Sequence, residues 1–302
     1  MSIVVTCNLA DGVIVGTDSA VTIEGQVSTP VGLQTGILKV YNHSEKLFQL
    51  EDLPVAIASY GLGSLGDRSI GSYVKEFEFL IKNKKKLYKS QSAKRLNNLT
   101  VQEIALQLHT FFLDKYKETL GPLLEKELGV KYEDIPQDKK PIIGLVVAGI
   151  SPNEYLSEVW QILVPLEDSL TCIRERGSFG TNWFGQIESL TRMIKGFAGE
   201  VPNGIIDYFV RTYKIDVKET DINELKKILA EFEYKIPYQA MPIQEGINHV
   251  KYLLDLVIGQ TQFVIGAPIC GGPIRIGVVR RGETVFRFIT ENSLKVDNIK
   301  SI

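Results

Sequence analysis

Ser2-Ile3-Val4-Val5-Thr6-Cys7 and Gly12-Val13-Ile14-Val15-Gly16-Thr17-Asp18-Ser19, joined through Ala10-Asp11-Gly12, decide how this chain begins. Both runs are rich in β-branched apolar residues, and the Asp-Gly pair between them is a hairpin signal. A hairpin returns the chain on itself, so Asp18 is expected beside the amino terminus. Removal of Met1 ahead of the small Ser2 would leave a serine carrying a free α-amine. One residue would then hold a hydroxyl nucleophile and a weak base. An α-amine titrates near ~7.7–8.0, close enough to neutrality for general-base work. Such a site needs no histidine, and His43, His109 and His249 are assigned to structure or surface. Thr6 and Cys7 belong to the first strand.

Outward from this hairpin, composition narrows the field. The 302 residues are 44% hydrophobic with a net charge of -2, enough for a sizeable core and no sign of nucleic-acid binding. The lysines from Lys82 to Lys86, with Lys89 beyond, read as a solvated helix end. No apolar run approaches the ~20 residues of a membrane span, and the start lacks a signal-peptide pattern. Cys7, Cys172 and Cys270 are few and widely spaced, which fits a reducing cytoplasm without disulfides or a zinc site.

Strand patterns occupy the first 65 residues, with Ile37 to Tyr41, Lys46 to Leu50 and Pro54 to Tyr60 after the hairpin. Helical spacing follows at Val74, Phe77, Leu80 and Ile81. A second helix starts at Thr100, which forms a capping-box pattern with Glu103. Residues 121–140 read as a connection. Strands resume at 141–149, 155–164 and 171–177. Helices are expected from Trp183 to Phe197, around Leu225 to Phe232, and along Ile247 to Val257. The closing strands are Gln262 to Ile265, Pro273 to Arg280 and Thr284 to Ile289. Segregated runs of this kind imply an α+β fold of antiparallel sheets flanked by helices, in one domain over 1–302.

The segment Gly12 to Ser19 resembles the start of proteasome β-type subunits and the related bacterial heat-shock-locus protease, which are N-terminal nucleophile hydrolases. The resemblance implies a four-layer α/β/β/α sandwich and attack on an amide by Ser2. It makes Asp18 and a lysine the charged partners of the nucleophile; Lys39-Val40 matches the lysine strand, with Lys46 as competitor. Gly61, or alternatively Gly63, would supply the oxyanion N–H. Gly177-Ser178, with Gly185 beyond, would orient the terminal amine, and Thr22 would bind substrate backbone. Cys270-Gly271-Gly272 stands where the family has Ser-Gly-Gly, and Ala267 stands where it has aspartate. The resemblance further implies a peptide or unfolded-protein substrate and a homo-oligomer, with a ring as one form, and leaves an ATP-dependent unfoldase open. It calls for no cofactor. Two alternatives stay open: a small-molecule amidase of the same fold, and a non-catalytic, assembly-forming subunit.

Overall fold

The computed structural model describes residues 2–29, 32–50, 53–83, 98–265, 268–283 and 286–290. The chain runs β1 (Ile3–Leu9), β2 (Gly12–Thr17), β3 (Val21–Thr29), β4 (Gly32–Tyr41), β5 (Leu47–Gln49) and β6 (Val55–Gly61). The short β7 (Ser64–Leu65) and β8 (Arg68–Ser69) lead into α1 (Ile70–Asn83), α2 (Val101–Thr119) and α3 (Gly121–Leu128). Then come β9 (Ile143–Ile150), β10 (Ser157–Val164), β11 (Thr171–Arg174) and β12 (Gly180–Gly185). Helices α4 (Glu188–Lys195), α5 (Val201–Tyr213), α6 (Glu219–Ala230) and α7 (Ile243–Thr261) follow, before β13 (Arg275–Arg280) and β14 (Arg287–Phe288). The expected α+β character is observed.

Two five-stranded sheets dominate, ordered β12-β1-β2-β13-β14 and β11-β10-β9-β6-β5. Strand pairing within them is antiparallel. The opening hairpin forms in the expected register, with Val4 opposite Thr17 and Leu9 opposite Gly12. Every residue of β1 is buried, and the period of two in a strand divides its side chains between two cores. Ile3, Val5, Cys7 and Leu9 pack with Leu190 of α4 and Val250, Leu253 and Leu254 of α7. Val4 packs from the other face with Val13, Val15, Ala56, Ala58 and Val146, joining the two sheets. A third core sets Ile57, Leu145 and Val147 of the second sheet against Val74 and Phe77 of α1 and Phe111 and Phe112 of α2.

The capping box at Thr100 is present: the Glu103 N–H donates to Thr100 Oγ1 (3.1 Å), and the Thr100 N–H donates to the Glu103 carboxylate (2.9 Å). Other expectations need correction. Residues 121–140 are not a plain connection. Pro122 sits in the first turn of α3, where a missing N–H costs nothing, and Gly129 ends the helix at φ 69°. The helix expected from Trp183 starts later, because β12 carries Trp183 into the sheet beside Val5. Residues 262–265 form turns after α7 instead of a strand, and α5 was not foreseen. Of the expected strand Thr284 to Ile289, residues 284 and 285 lie outside the described residues, as do Lys84 to Lys86 and Lys89. No helix among the described residues is long and apolar enough to cross a membrane.

Candidate active site

Asp18 directly follows β2 and is fully buried. Its Oδ1 accepts from the Ile3 N–H (3.1 Å) and from Lys46 Nζ (2.7 Å). Its Oδ2 accepts from the N–H groups of Ala20 (3.2 Å) and Gly271 (3.2 Å). The hairpin and the Lys46 segment thus converge on one carboxylate. A buried carboxylate keeps its charge only when it is paired and hydrogen-bonded in this way.

Ser2 lies one residue before the Ile3 amide held by Asp18, and it is itself buried, with 5% of its surface exposed. Its carbonyl accepts from the Gln186 N–H (2.9 Å). Gly185, paired with Ile3, has φ 91°, and a Cβ there would overlap the Ser2 carbonyl oxygen. Only glycine lets β12 press so closely on the chain at residue 2. Met1 lies outside the described residues.

The lysine assignment is corrected. Lys39 sits on the exposed face of the β3–β4 hairpin, opposite Ile23, and its ammonium lies over the Tyr41 ring at 5.8 Å. Strand β3 continues through the segment expected to loop, so the hairpin carries Lys39 away from Asp18. Lys46 takes the buried position instead. It immediately precedes β5, and its carbonyl accepts from the Ser59 N–H of β6 (2.8 Å). Burial pushes the Lys46 ammonium below its usual range, against the opposing pull of the Asp18 charge and hydrogen bond.

Ser178 is also misplaced by the sequence pattern. Gly180 pairs with Asn8 and Gly185 with Ile3, so Ser178 lies past the far end of β12. The five residue steps from Gly180 to Gly185 amount to about 17 Å. There Ser178 Oγ accepts from Arg174 Nη1 (3.3 Å), which belongs to β11. Its sequence neighbour Gly177 marks only a turn.

Gly61 is the last residue of β6, and Thr22 is the second residue of β3. Amides alternate between the two edges of an antiparallel strand. Leu62 donates to the Ile142 carbonyl (3.0 Å) and Ser59 to Lys46, so the Gly61 N–H is directed to the edge that holds Lys46. Gly63 packs instead against the Val21 side chain. The Thr22 Oγ1 is buried without a hydrogen-bond partner among the described residues.

Cys270 is buried beside this cluster. Burial first, and the Asp18 charge second, push its thiol up to about 12, although Lys46 opposes them. It is a neutral packing element, like the buried Cys7, whose thiol rises to about 11. Gly272, at φ 72°, lies against the Asn42 carbonyl, and the Gly271 carbonyl accepts from the Ser19 N–H (2.9 Å). Residue 267 lies outside the described residues. His109 contacts the Leu166 carbonyl (2.8 Å), His249 faces the Tyr238 hydroxyl (3.4 Å), and His43 is exposed.

Sequence reasoning gave second place to Lys46 and did not see Gln186 or the Ala20 and Gly271 amides. A lysine directly before an apolar strand was the available signal for Lys46. Backbone donors leave no trace in a side-chain pattern.

No family model and no curated protein matches this chain. Among solved structures it is similar to the Anbu (Gly-1) mutant from Hyphomicrobium sp. strain MC1, at 10% identity and a TM-score of 0.48, over 97% of this chain and 89% of that one. These findings correct the family assignment drawn from Gly12 to Ser19. A segment of eight residues resembles the proteasome β-type start, but no family model recognises the whole chain.

Proposed function

We propose that this chain is an amide-bond hydrolase that cleaves peptides, with Ser2 as nucleophile once Met1 has been removed. One observation carries this reading: the fully buried Asp18 accepts both the Lys46 ammonium and the Ile3 N–H directly beside Ser2. A buried ion pair contributes little net stability, so its position against a small hydroxyl residue is better accounted for by chemistry. We further take the chain as one domain in which α4 and α7, the two sheets, and α1 to α3 stack as four layers.

In this mechanism the Ser2 α-amine takes the Oγ proton, directly or through water, as Oγ attacks the substrate carbonyl. A C–O bond forms, and the carbonyl oxygen becomes an oxyanion facing the Gly61 N–H. The amine then passes its proton to the leaving nitrogen, the C–N bond breaks, and an ester on Ser2 remains. Water adds to that ester as the amine takes its proton; the Oγ–C bond then breaks, the amine returns the proton to Oγ, and the acid and free Ser2 are released. The Lys46 ammonium disfavours a second positive charge on the α-amine and so holds it in its basic form. Asp18 compensates the Lys46 charge, and Thr22 offers its backbone and unpartnered hydroxyl to the substrate.

Intact mass and turnover of peptide amides test this directly. Active protein is expected to lack Met1, and a quenched reaction to carry an acyl adduct on Ser2. Ser2→Ala should lower kcat by ~10³-fold or more. Active protein retaining Met1, or a Ser2→Ala variant with undiminished turnover, would end the proposal.

A further inference from the structure

A cavity of about 380 Å³ opens beside the Ser2 end of the molecule. Its position is fixed by two contacts already described in part. Gln186, one of its lining residues, holds the Ser2 carbonyl through its own N–H. Thr261, also in the lining, donates its hydroxyl to the carbonyl of Cys270 (3.3 Å), next to the Gly271 amide that binds Asp18. The cavity and the catalytic cluster therefore share a wall.

Glu188, Ser189 and Gln260 add further polar side chains to the lining, and aliphatic residues supply the rest of it. Ile37 projects from β4, Val257 from α7, Val264 from the turn after α7, and Ile269 from the segment leading to Cys270. The volume lies near the lower end of the ~300–1,000 Å³ range of small-ligand pockets. It suits one large side chain better than an extended peptide. Gln186 and Thr261 stand where the lining meets the catalytic cluster, so an occupant anchored at Ser2 would reach the aliphatic residues with its side chain.

We infer that this cavity receives the side chain of a substrate residue adjoining the scissile amide and selects branched aliphatic or aromatic residues there. The inference rests on the proposed hydrolase chemistry at Ser2 and adds its substrate preference. Apolar pockets discriminate by filling: each methylene is worth about 1–3 kcal/mol, or about 10–200-fold in kcat/KM.

The test uses the full-length protein and two peptide-amide series, one varied on the acyl side of the scissile bond and one on the amine side. Alanine, leucine, phenylalanine, glutamate and lysine are compared in each. In one series leucine or phenylalanine should exceed alanine, glutamate and lysine by at least about tenfold in kcat/KM. Val264→Trp, at the exposed rim, should shrink that leucine-to-alanine ratio about tenfold or more, and Ile37→Ala should shift preference towards phenylalanine. A thermal melt verifies that both variants fold. Turnover without an apolar preference in either series, or a preference that Val264→Trp leaves intact, would overturn this inference while the hydrolase reading stands. Absence of turnover and of any Ser2 adduct in the wild type would overturn both.

Discussion

The two ends of the β1–β12 ladder share backbone geometry and differ in chemistry. At the Ser2 end a buried carboxylate gathers a lysine and three backbone amides. At the Asn8 end the cation is Arg174, which reaches the Ser178 hydroxyl, the Asn182 side chain (3.0 Å) and the Thr181 carbonyl (3.5 Å). The first end concentrates full charges at buried side chains. The second spreads one charge over neutral acceptors. Charges held dry interact strongly and are costly to disturb, so the contrast predicts where substitutions will hurt.

The largest difference should come from Asp18→Asn set against Ser178→Ala. The first leaves the Lys46 ammonium buried without its counter-charge, at a cost of about 3–5 kcal/mol, and should also abolish turnover. The second removes one long hydrogen bond at a partly exposed site and should stay within about 0.5 kcal/mol, with activity retained. Urea unfolding and peptide-amide kinetics on both proteins give the comparison. Equal effects would show that the ladder has no privileged end.

Gly185→Ala should rank next. The φ of 91° and the overlap with the Ser2 carbonyl together demand backbone movement at residue 2. About 1–3 kcal/mol of strain is expected, with a fall in kcat larger than any change in KM because Ser2 is displaced. A melting curve and steady-state kinetics separate these; unchanged kcat would mean that the position of Ser2 is not critical.

Lys46→Met and Lys39→Met sharpen the same contrast through pH. Burial lowers the Lys46 value in the folded state below its unfolded value of 10.5. Between those two values the unfolded chain binds more protons, so this group's contribution is full above 10.5 and is lost as pH falls through the lowered value. The stability of the wild type relative to Lys46→Met should therefore rise as pH is raised towards 10.5, read from unfolding at several pH values. Lys39→Met should track the wild type throughout and leave turnover unchanged.

Much of the fold was legible because period and turn chemistry act locally. The Asp11-Gly12 hairpin and the Thr100 cap are set by residues within a few positions of each other. Ser2 and Asp18 came together for the same reason. Lys39 and Ser178 were misplaced because their positions depend on how far a strand continues. Strand β3 runs on through Glu24 to Thr29 and carries Lys39 outward, and the β1–β12 register places Gly185, not Gly177, at the terminus. Register is a tertiary property. Gln186, Ala20 and Gly271 act through main-chain groups, which every residue possesses and no motif reveals.

The smallest effect expected is from thiol alkylation, and it bears on which atom at the Asp18 cluster can attack. Cys270 lies in that cluster but is almost wholly buried, with its thiol pushed up to about 12; Cys7, on β1, is fully buried with its thiol at about 11. Alkylation requires a thiolate within reach of solvent, which both positions deny. Iodoacetamide applied to native protein near neutral pH should therefore leave turnover intact, with any adduct confined to the half-buried Cys172. Peptide mapping by mass spectrometry would locate it. Loss of activity together with an adduct on Cys270 would show that the cluster opens to solvent, and would move the candidate nucleophile from the Ser2 hydroxyl to a thiol.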